Sequence, residues 1–437
     1  MECRHRAQNP GGHPERGCLR DIHRGVGVKI SDLSTDVAAL LESHGIPERE
    51  VYLDSENSGL VFPEAIRAMV RAYAGGGMGH PSITHRKGWE SYETLLSATR
   101  TIAEAVRCQP DELVFTHSGT EANNLAITGL ARAQKTRKTL LISDIEHLSV
   151  TFPAEQLQKE GYRVVIIPVD REGFVNLEYL EDQVGSDTLL VSIAPVNHEI
   201  GTVQDVRAIT EIVKDRDPGA AVHLDSCDAF CKTDLDLGKT RADLASFSSH
   251  KIYGPKGAGA LFVREGTGLE PIIRGQLSTQ KLWAGVENVP AIAGFATAVE
   301  MMQKNRAAYL ALMTRLRDRL IAGIAGSITD TLLNGPTGDH RAPDNVNISF
   351  LYCEGEALTV ELSLKGIYVS SGSACTSRVL QPSHVLLAIR RKYEEAHGSI
   401  LMKPTPFHTE SDIEYVLTCF PDAVGRIRSL SPLKPGG

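Results

Sequence analysis

Short apolar runs alternate with helical patterns along the chain from about residue 110. Runs rich in Val, Ile and Leu predict six strands, at Leu113–Phe115, Thr139–Ile142, Val164–Val169, Thr188–Ile193, Ala220–Leu224 and Leu244–Phe247. Strands that alternate with helices build a mainly parallel sheet with both faces covered. A seventh run, Gly259–Val263, predicts a strand that leaves this alternation. The pattern therefore indicates an α/β protein.

A second unit follows the sheet. A helical pattern from Ile292 to about Ile324 leads into it, and Val346–Phe350 and Ile367–Ser370 predict strands there. Helices are predicted near Glu356–Leu364, Ser383–Arg391 and Glu410–Thr418. We therefore expect a large domain over residues 51–310 and a smaller α+β domain over residues 311–437. Residues 1–50 are expected to be a partly disordered extension, with a short helix from Ser34 to Gly45.

Composition and charge narrow the class of protein. The chain has 437 residues, of which 42% are hydrophobic and 23% charged, as in soluble folded proteins. The net charge of −8 argues against nucleic acid as a partner. No apolar run is long enough to span a membrane, and no secretion signal begins the chain. Eight cysteines without framework spacing indicate free thiols in the cytoplasm, and nothing has the spacing of a structural metal site.

Polar residues follow several of the predicted strands, where α/β sheets bind ligands. Thr116–Glu121, which includes Gly119 and Thr120, is a small-residue turn into a predicted helix, Ala122–Ala133. Exposed amides at a helix N-terminus suit a phosphate. An ordinary capped turn has the same appearance, so this segment alone decides nothing.

Three further strand ends sharpen the prediction. Glu146-His147 follows one strand, Asp225 ends another, and Ser248-Ser249-His250-Lys251 follows a third. Asp225 alone is equally consistent with a buried helix cap. A lysine among small residues at a strand end is unusual, because lysine normally keeps its ammonium in water. Together these residues indicate pyridoxal phosphate, with Lys251 as the Schiff base and Asp225 on the pyridine nitrogen.

A cysteine lies in a second segment of small residues. Ser370–Ser377 surrounds Cys375 with Ser, Gly, Ala and Thr. Such neighbours leave a thiol accessible, whereas an inert buried cysteine would need apolar ones. We therefore expect a reactive thiol at Cys375.

Specific motifs from about Val51 to Leu433 resemble the cysteine desulfurases of the NifS/IscS type, in the class V aminotransferase group. Ser248–Gly257 resembles their Schiff-base segment and Ser370–Ser377 their catalytic-cysteine loop. Further matches are Gly119–Asn124, Glu146-His147, Asn345–Phe350, Glu354–Glu356 and Gly425–Leu433. The resemblance implies fold type I, with a mainly parallel seven-stranded sheet, and a homodimer.

The resemblance also implies roles for individual residues. Lys251 holds the cofactor and moves the substrate Cα proton, and His147 stacks on the ring and helps to move protons. Asp225 keeps the pyridinium protonated. The phosphate is expected on Gly119, Thr120, Ser248 and His250. Cys375 attacks the sulfur of L-cysteine and keeps it as a persulfide, which a sulfur-acceptor protein could then receive, while alanine is released.

Several positions depart from the family pattern. His198 replaces a second Asn, and Asp228 replaces a Gln, both near the cofactor's phenolic oxygen or the substrate, and His198 could pair with Asp228. Leu401 replaces the arginine that binds the substrate carboxylate, so Lys403 or Arg378 would have to substitute for it. Trp283–Val286 replaces the segment that reaches the partner subunit, and residues within Glu56–Leu60 replace an N-terminal motif.

Three functions remain open from sequence. The complete cysteine loop favours a desulfurase acting on L-cysteine. The replacements at His198, Asp228, Trp283 and Leu401 favour another C–S lyase, or an enzyme of specialised metabolism with a different amino acid or amine. A non-enzymatic paralogue is the third, and it is disfavoured because Lys251, Asp225, His147 and Cys375 are all present.

Overall fold

A seven-stranded sheet forms the centre of the protein. The structure, a computed structural model, describes Pro47, residues 49–372 and residues 382–432. Strand β1 is Val51–Tyr52, and the sheet is built from β2 Leu113–Thr116, β3 Thr139–Ser143, β4 Arg163–Ile167, β5 Thr188–Ser192, β6 Ala221–Asp225, β7 Leu244–Ser248 and β8 Gly259–Val263. The strand order is β2-β8-β7-β6-β5-β3-β4. Every strand predicted for this sheet is therefore present, with bounds shifted by no more than two residues.

Six of the seven strands run in one direction. Strands β3 to β7 pair in parallel with their neighbours, and only β8 runs antiparallel, inserted between β2 and β7. Apart from β4 and the end of β8, the strand residues are buried because helices cover both faces. The prediction of a mainly parallel sheet in an α/β fold is confirmed, and β8 is the strand that leaves the alternation.

Twelve helices surround the sheets in the described part of the chain. They are α1 Pro63–Arg71, α2 Arg86–Val106, α3 Gly119–Ala133, α4 Leu148–Lys159, α5 Leu177–Gln183, α6 Val206–Arg216, α7 Val289–Lys304, α8 Arg306–Ser327, α9 Gly355–Ser363, α10 His384–Ala388, α11 Tyr393–His397 and α12 Glu410–Leu430. None of them is long and apolar enough to cross a membrane.

A four-stranded antiparallel sheet lies in the C-terminal part of the chain. Its strands are β9 Thr331–Leu333, β10 Val346–Phe350, β12 Ser370–Ser371 and β13 Ser399–Met402, in the order β12-β13-β10-β9. Its apolar side packs with residues of α8 and α12 in a hydrophobic cluster that includes Phe350 and Phe420. This cluster supports the division into a large and a small domain, which stays a prediction.

Several elements differ in detail from the sequence pattern, and the helix predicted at Ser383–Arg391 is the shorter α10, His384–Ala388. The helical pattern from Ile292 to Ile324 is two helices, which meet at Asn305. The run Ile367–Ser370 is divided between two sheets, because β11, Ile367–Tyr368, pairs in parallel with β1 while Ser370 belongs to β12. The last helix continues twelve residues beyond Thr418 to Leu430, with Pro421 inside it.

Candidate active site

Carboxyl ends of the parallel strands converge on one cleft of about 190 Å³. All nine described residues that sequence reasoning assigned to the site line this cleft. They are Gly119, Thr120, His147, His198, Asp225, Asp228, Ser248, His250 and Lys251. The tenth, Cys375, lies outside the described residues, as does Arg378. The roles of these residues stay predictions, but the fold does bring the nine together.

The turn between β2 and α3 forms one wall of the cleft. Gly119 begins α3, and the side chain of Ser118 caps it by accepting from the amide of Glu121 over 3.1 Å. A Cβ atom at Gly119 would lie 2.4 Å from Sγ of Cys227 and 3.2 Å from Cβ of Ser248. Only glycine therefore fits where this turn approaches the end of β7.

Buried polar atoms of two other residues that line the cleft have no hydrogen-bond partner. They include Oγ of Ser248 and Nδ1 of His250. Burial lowers the pKa of His250 to about 4, so its imidazole is neutral at pH 7. Unpartnered buried polar atoms are costly, and together with the N-terminus of the 15-residue helix α3 they suit an anion such as a phosphate.

A chain of hydrogen bonds connects His147 to Asp225. The Nδ2 amide of Asn123 donates to Oδ2 of Asp225 and to Oγ of Ser149, both over 2.7 Å. Nδ1 of His147 lies 2.7 Å from the same Ser149 hydroxyl and accepts from the Ser149 amide over 3.1 Å. This chain fixes the imidazole and the carboxylate on the cleft wall. Asn123 and Ser149 were not singled out from sequence, although Asn123 belongs to the matched segment Gly119–Asn124.

Lys251 lies in the short helical turn that follows β7. Its Nζ contacts a carboxylate oxygen of Glu56 and lies 3.1 Å from Oδ2 of Asp228. Glu56 also lines the cleft. From the sequence, Glu56 was noted only as part of a replaced motif. Its contact with Lys251 could not be foreseen, because the two residues are almost two hundred positions apart along the chain.

The suggested pairing of His198 with Asp228 is wrong. Both oxygens of Asp228 contact lysines instead, Oδ1 at 3.0 Å from Lys403 and Oδ2 at 3.1 Å from Lys251. The imidazole of His198 meets the ring of His147 edge to face, with centroids 5.1 Å apart. Burial, reinforced by the nearby His147, holds the pKa of His198 well below its usual range. A neutral imidazole is therefore no counter-ion for a carboxylate.

Leu401, which replaces the expected arginine, and Lys403, a candidate to substitute for it, differ in their surroundings. Leu401 is buried in β13 and pairs with Ser370 of β12, whose hydroxyl accepts from Nδ2 of Asn57 in the cleft wall over 3.0 Å. Lys403 is also buried, and its ammonium already contacts Glu56 and Asp228. Lys403 is therefore neutralised by two carboxylates of this chain.

Two more sequence predictions can be located. Trp283 is buried, in the cluster around α3, and its ring meets that of His117 with the centroids 5.9 Å apart.

Five cysteines of the described residues are free: Cys108, Cys227, Cys231, Cys353 and Cys419. Cys227 lines the cleft, but burial holds its pKa well above the usual range, so it stays a thiol. Within residues 49–372 and 382–432, no three potential ligands cluster as a metal site.

The fold and the cleft define a pyridoxal-phosphate enzyme of fold type I. The chain belongs to the aminotransferase class-V family, whose model matches residues 51–414. The cysteine desulfurase IscS 1 of Archaeoglobus fulgidus is 42% identical over 383 residues, which cover 87% of this chain and 99% of that protein. The resemblance to cysteine desulfurases is thus confirmed.

Solved structures agree with this family. A NifS-like protein superposes with a TM-score of 0.81 at 31% identity, covering 86% of this chain and all of that one. A structure described as SspA in complex with cysteine superposes with a TM-score of 0.68 at 28% identity, covering 82% of this chain and 99% of that one.

The residues of the cleft fit pyridoxal phosphate. The unpartnered Ser248 and His250 atoms and the glycine turn at Gly119 suit its phosphate. Asp225, held by Asn123, suits its ring nitrogen, and Lys251 is the lysine within the cleft. When bound, this cofactor supplies an electron sink for the bonds at the substrate's Cα.

Proposed function

We propose that this enzyme removes sulfur from L-cysteine. A thiol of the enzyme and L-cysteine give alanine and an enzyme persulfide, so the sulfur atom moves without an external oxidant or reductant. The convergence of Lys251, Asp225 and His147 on one cleft, in a chain that covers nearly all of a cysteine desulfurase relative, carries this proposal.

The proposed roles follow from the contacts of each residue. Asp225 holds a proton on the ring nitrogen, because Asn123 fixes one carboxylate oxygen and the Cys227 amide contacts the other. His147, which Ser149 orients, would lie against the cofactor ring. Lys251 would hold the cofactor and would move the substrate Cα proton. Cys375 is the proposed sulfur acceptor within the enzyme.

Alanine and sulfide formation tests the proposal. The purified holoenzyme is given L-cysteine and a thiol reductant, and both products are measured. Equal amounts of alanine and sulfide are expected. Pyruvate and ammonia in place of alanine would favour a C–S lyase.

That second candidate has specific support. Leu401 stands where the family has an arginine, and Lys403 is occupied by two carboxylates. Both features weaken recognition of a substrate carboxylate. A spectral titration with L-cysteine, its methyl ester and cysteamine separates the candidates, since a lyase adapted to an amine would respond best to cysteamine.

A homodimer is also proposed. Ile83, Trp89 and Tyr92 are apolar, between 37% and 56% exposed, and line one surface hollow. An exposed apolar patch of this kind marks a protein interface, and a second copy of the chain is the proposed partner. Transfer of sulfur to an acceptor protein is proposed as the following step.

A further inference from the structure

Four charged side chains form a closed ring beside the cleft: Glu56, Lys251, Asp228 and Lys403. One oxygen of Glu56 contacts Nζ of Lys251, and the other lies 3.1 Å from Nζ of Lys403. Asp228 bridges the same two lysines, at 3.1 Å from Lys251 and 3.0 Å from Lys403. Positive and negative groups therefore alternate around this charge ring.

The charge ring is buried and has no net charge. Its side chains are between 2% and 11% exposed. An uncompensated charge at such a depth costs several kcal/mol, whereas two cations and two anions offset one another. Burial alone would lower the pKa of Lys251, but the carboxylates of Asp228 and Glu56 outweigh it and raise that pKa. Lys251 therefore rests as an ammonium, which has no lone pair for attack on an aldehyde.

We propose that Glu56 takes the proton of Lys251 when this nitrogen must act as a nucleophile, and that Lys403 keeps the charge ring neutral. The inference rests on the proposed role of Lys251 as the cofactor lysine. Moving the proton leaves a neutral pair, Lys251 and Glu56, beside a charged pair, Lys403 and Asp228. The net charge is zero before and after, whereas loss of the proton to water would leave a buried negative charge.

Glu56 is better placed for this task than Asp228. It makes the closer contact with Nζ of Lys251. Burial alone would raise the pKa of Asp228, but the ammonium groups of Lys251 and Lys403 outweigh it and hold that pKa well below its usual range. A carboxylate held so firmly in its charged form is a poor proton acceptor.

Lys403 serves as the fixed cation. Its side chain is 2% exposed, and it is absent from the described lining of the cleft. Both carboxylates contact it, and they outweigh burial to raise its pKa well above the usual value.

The groups acting electrostatically on Lys251 are Glu56, Asp228, Lys403, His198, His250, Asp54 and Cys227.

The proton transfer prepares one bond-forming step. The neutral amine of Lys251 forms a carbon–nitrogen bond with the aldehyde carbon of pyridoxal phosphate, and the aldehyde oxygen leaves as water. Because the proton moves within the charge ring, the population of neutral amine does not depend on the pH of the solvent. A lysine that must release its proton to water behaves differently, since its neutral fraction grows about tenfold per pH unit below its pKa.

The test is the rate of cofactor reloading as a function of pH. Holoenzyme is stripped of cofactor, and the uptake of pyridoxal phosphate is followed by visible absorbance and by borohydride trapping. Each rate is divided by the rate at which N-acetyl-lysine, acetylated on its α-nitrogen so that the side-chain amine is free, reacts with pyridoxal phosphate under the same conditions. This division removes the titrations of the cofactor. For the wild type this ratio should fall about tenfold per pH unit between about pH 6.5 and 8.5, because the neutral fraction of Lys251 stays constant while that of the reference amine grows.

The Glu56→Gln variant should lose this behaviour. Its reloading rate should climb with pH as N-acetyl-lysine does, so that its ratio stays level. Glu56→Asp should restore the wild-type profile in part. The control is Glu64→Gln, because Glu64 is a partly exposed residue of α1 that pairs with Arg67. It should match the wild type at every pH.

Two results would overturn the proposal. One is a wild-type rate that climbs with pH like that of N-acetyl-lysine. This outcome is measured on the wild type alone, so it does not depend on whether a variant folds. The other is an identical pH profile for wild type and Glu56→Gln, which would leave Glu56 a purely structural role. Failure of the proposed function would be seen elsewhere, as trapping of the cofactor on another lysine or as no alanine from L-cysteine.

Discussion

Leu401 and Ser370 lie opposite each other in the antiparallel pair of β13 and β12. Paired residues project from the same face of a sheet, and the hydroxyl of Ser370 accepts from Asn57 in the cleft wall. Leu401, where the resemblance implies an arginine, therefore lies on the same face of the small sheet as Ser370, and its side chain is apolar.

We expect Leu401→Arg to improve the use of L-cysteine. A hydrogen bond to a charged group is worth about 1.5–3 kcal/mol, so the half-saturating concentration should fall about ten- to a hundredfold. Steady-state kinetics measures it, with thermal unfolding as a check of the fold. Leu401→Met, similar in volume and apolar, is the control and should leave the concentration unchanged. No gain from the arginine, with a better response to cysteamine, would favour the lyase.

Replacing Lys251 should remove the covalent attachment of the cofactor. Lys251→Ala should lose turnover, because no other amine replaces its Nζ within the described cleft. Borohydride reduction and peptide mapping of the wild type should place the label on Lys251. Lys256→Ala, at an exposed lysine five residues on, should keep both activity and label. A label on Lys256 would refute the assignment.

Cys375→Ser should separate cofactor binding from sulfur release. The variant should keep the spectrum of the bound cofactor and its response to L-cysteine, yet yield no persulfide and almost no sulfide, because a serine hydroxyl does not replace the nucleophilic thiol as acceptor of the sulfur. Cys108→Ser is the matched control, since burial raises the pKa of Cys108 to about 12 and keeps its thiol unreactive. Normal sulfide production by Cys375→Ser would argue against an enzyme persulfide.

His223 should make the protein less stable in mild acid. Its imidazole is buried between the hydroxyls of Ser192 and Ser246, at 2.8 and 2.9 Å, and burial lowers its pKa from 6.5 to about 4. The unfolded chain therefore binds more protons between these values, so the stabilisation is complete above pH 6.5 and is lost as the pH falls. The loss should reach about 2 kcal/mol by pH 5.

Unfolding of the holoenzyme at a series of pH values measures this contribution. The difference between wild type and His223→Gln should shrink as the pH falls from 7.5 to about 5, because glutamine does not titrate. A difference that is constant with pH would contradict the expectation for His223.

Light scattering should find a homodimer at working concentration. Replacing Trp89 by Glu should weaken the dimer, because a charge would have to be buried in the apolar hollow that Trp89 shares with Ile83 and Tyr92. Tyr393→Glu is the control, on the short helix α11. A monomeric wild type with full cofactor occupancy would contradict the dimer.

The sheet and most of the cleft could be predicted from sequence because their signals are local. Each strand is a compact apolar run, and Lys251 and Asp225 come directly after or at the end of one. The charge ring could not be predicted, because Glu56 and Lys403 reach Lys251 from distant parts of the chain. The pairing of Asp228 was misjudged for another reason. Lys251 is closer to Asp228 along the chain than His198 is, but only the fold shows that Lys251 and Lys403 both reach this carboxylate.

The insertion of β8 between β2 and β7 also bears on how the enzyme forms during synthesis. Leu113 at the start of β2 pairs with Phe262 near the end of β8, and β8 is the neighbour of β2 in the sheet. Pairings between such distant residues form slowly, because a long loop must close first. The turn that carries Gly119 follows β2, so we expect it to reach its folded conformation only after β8 has been synthesised and has paired with β2. An incomplete chain ending before Gly259 should be unable to retain the cofactor.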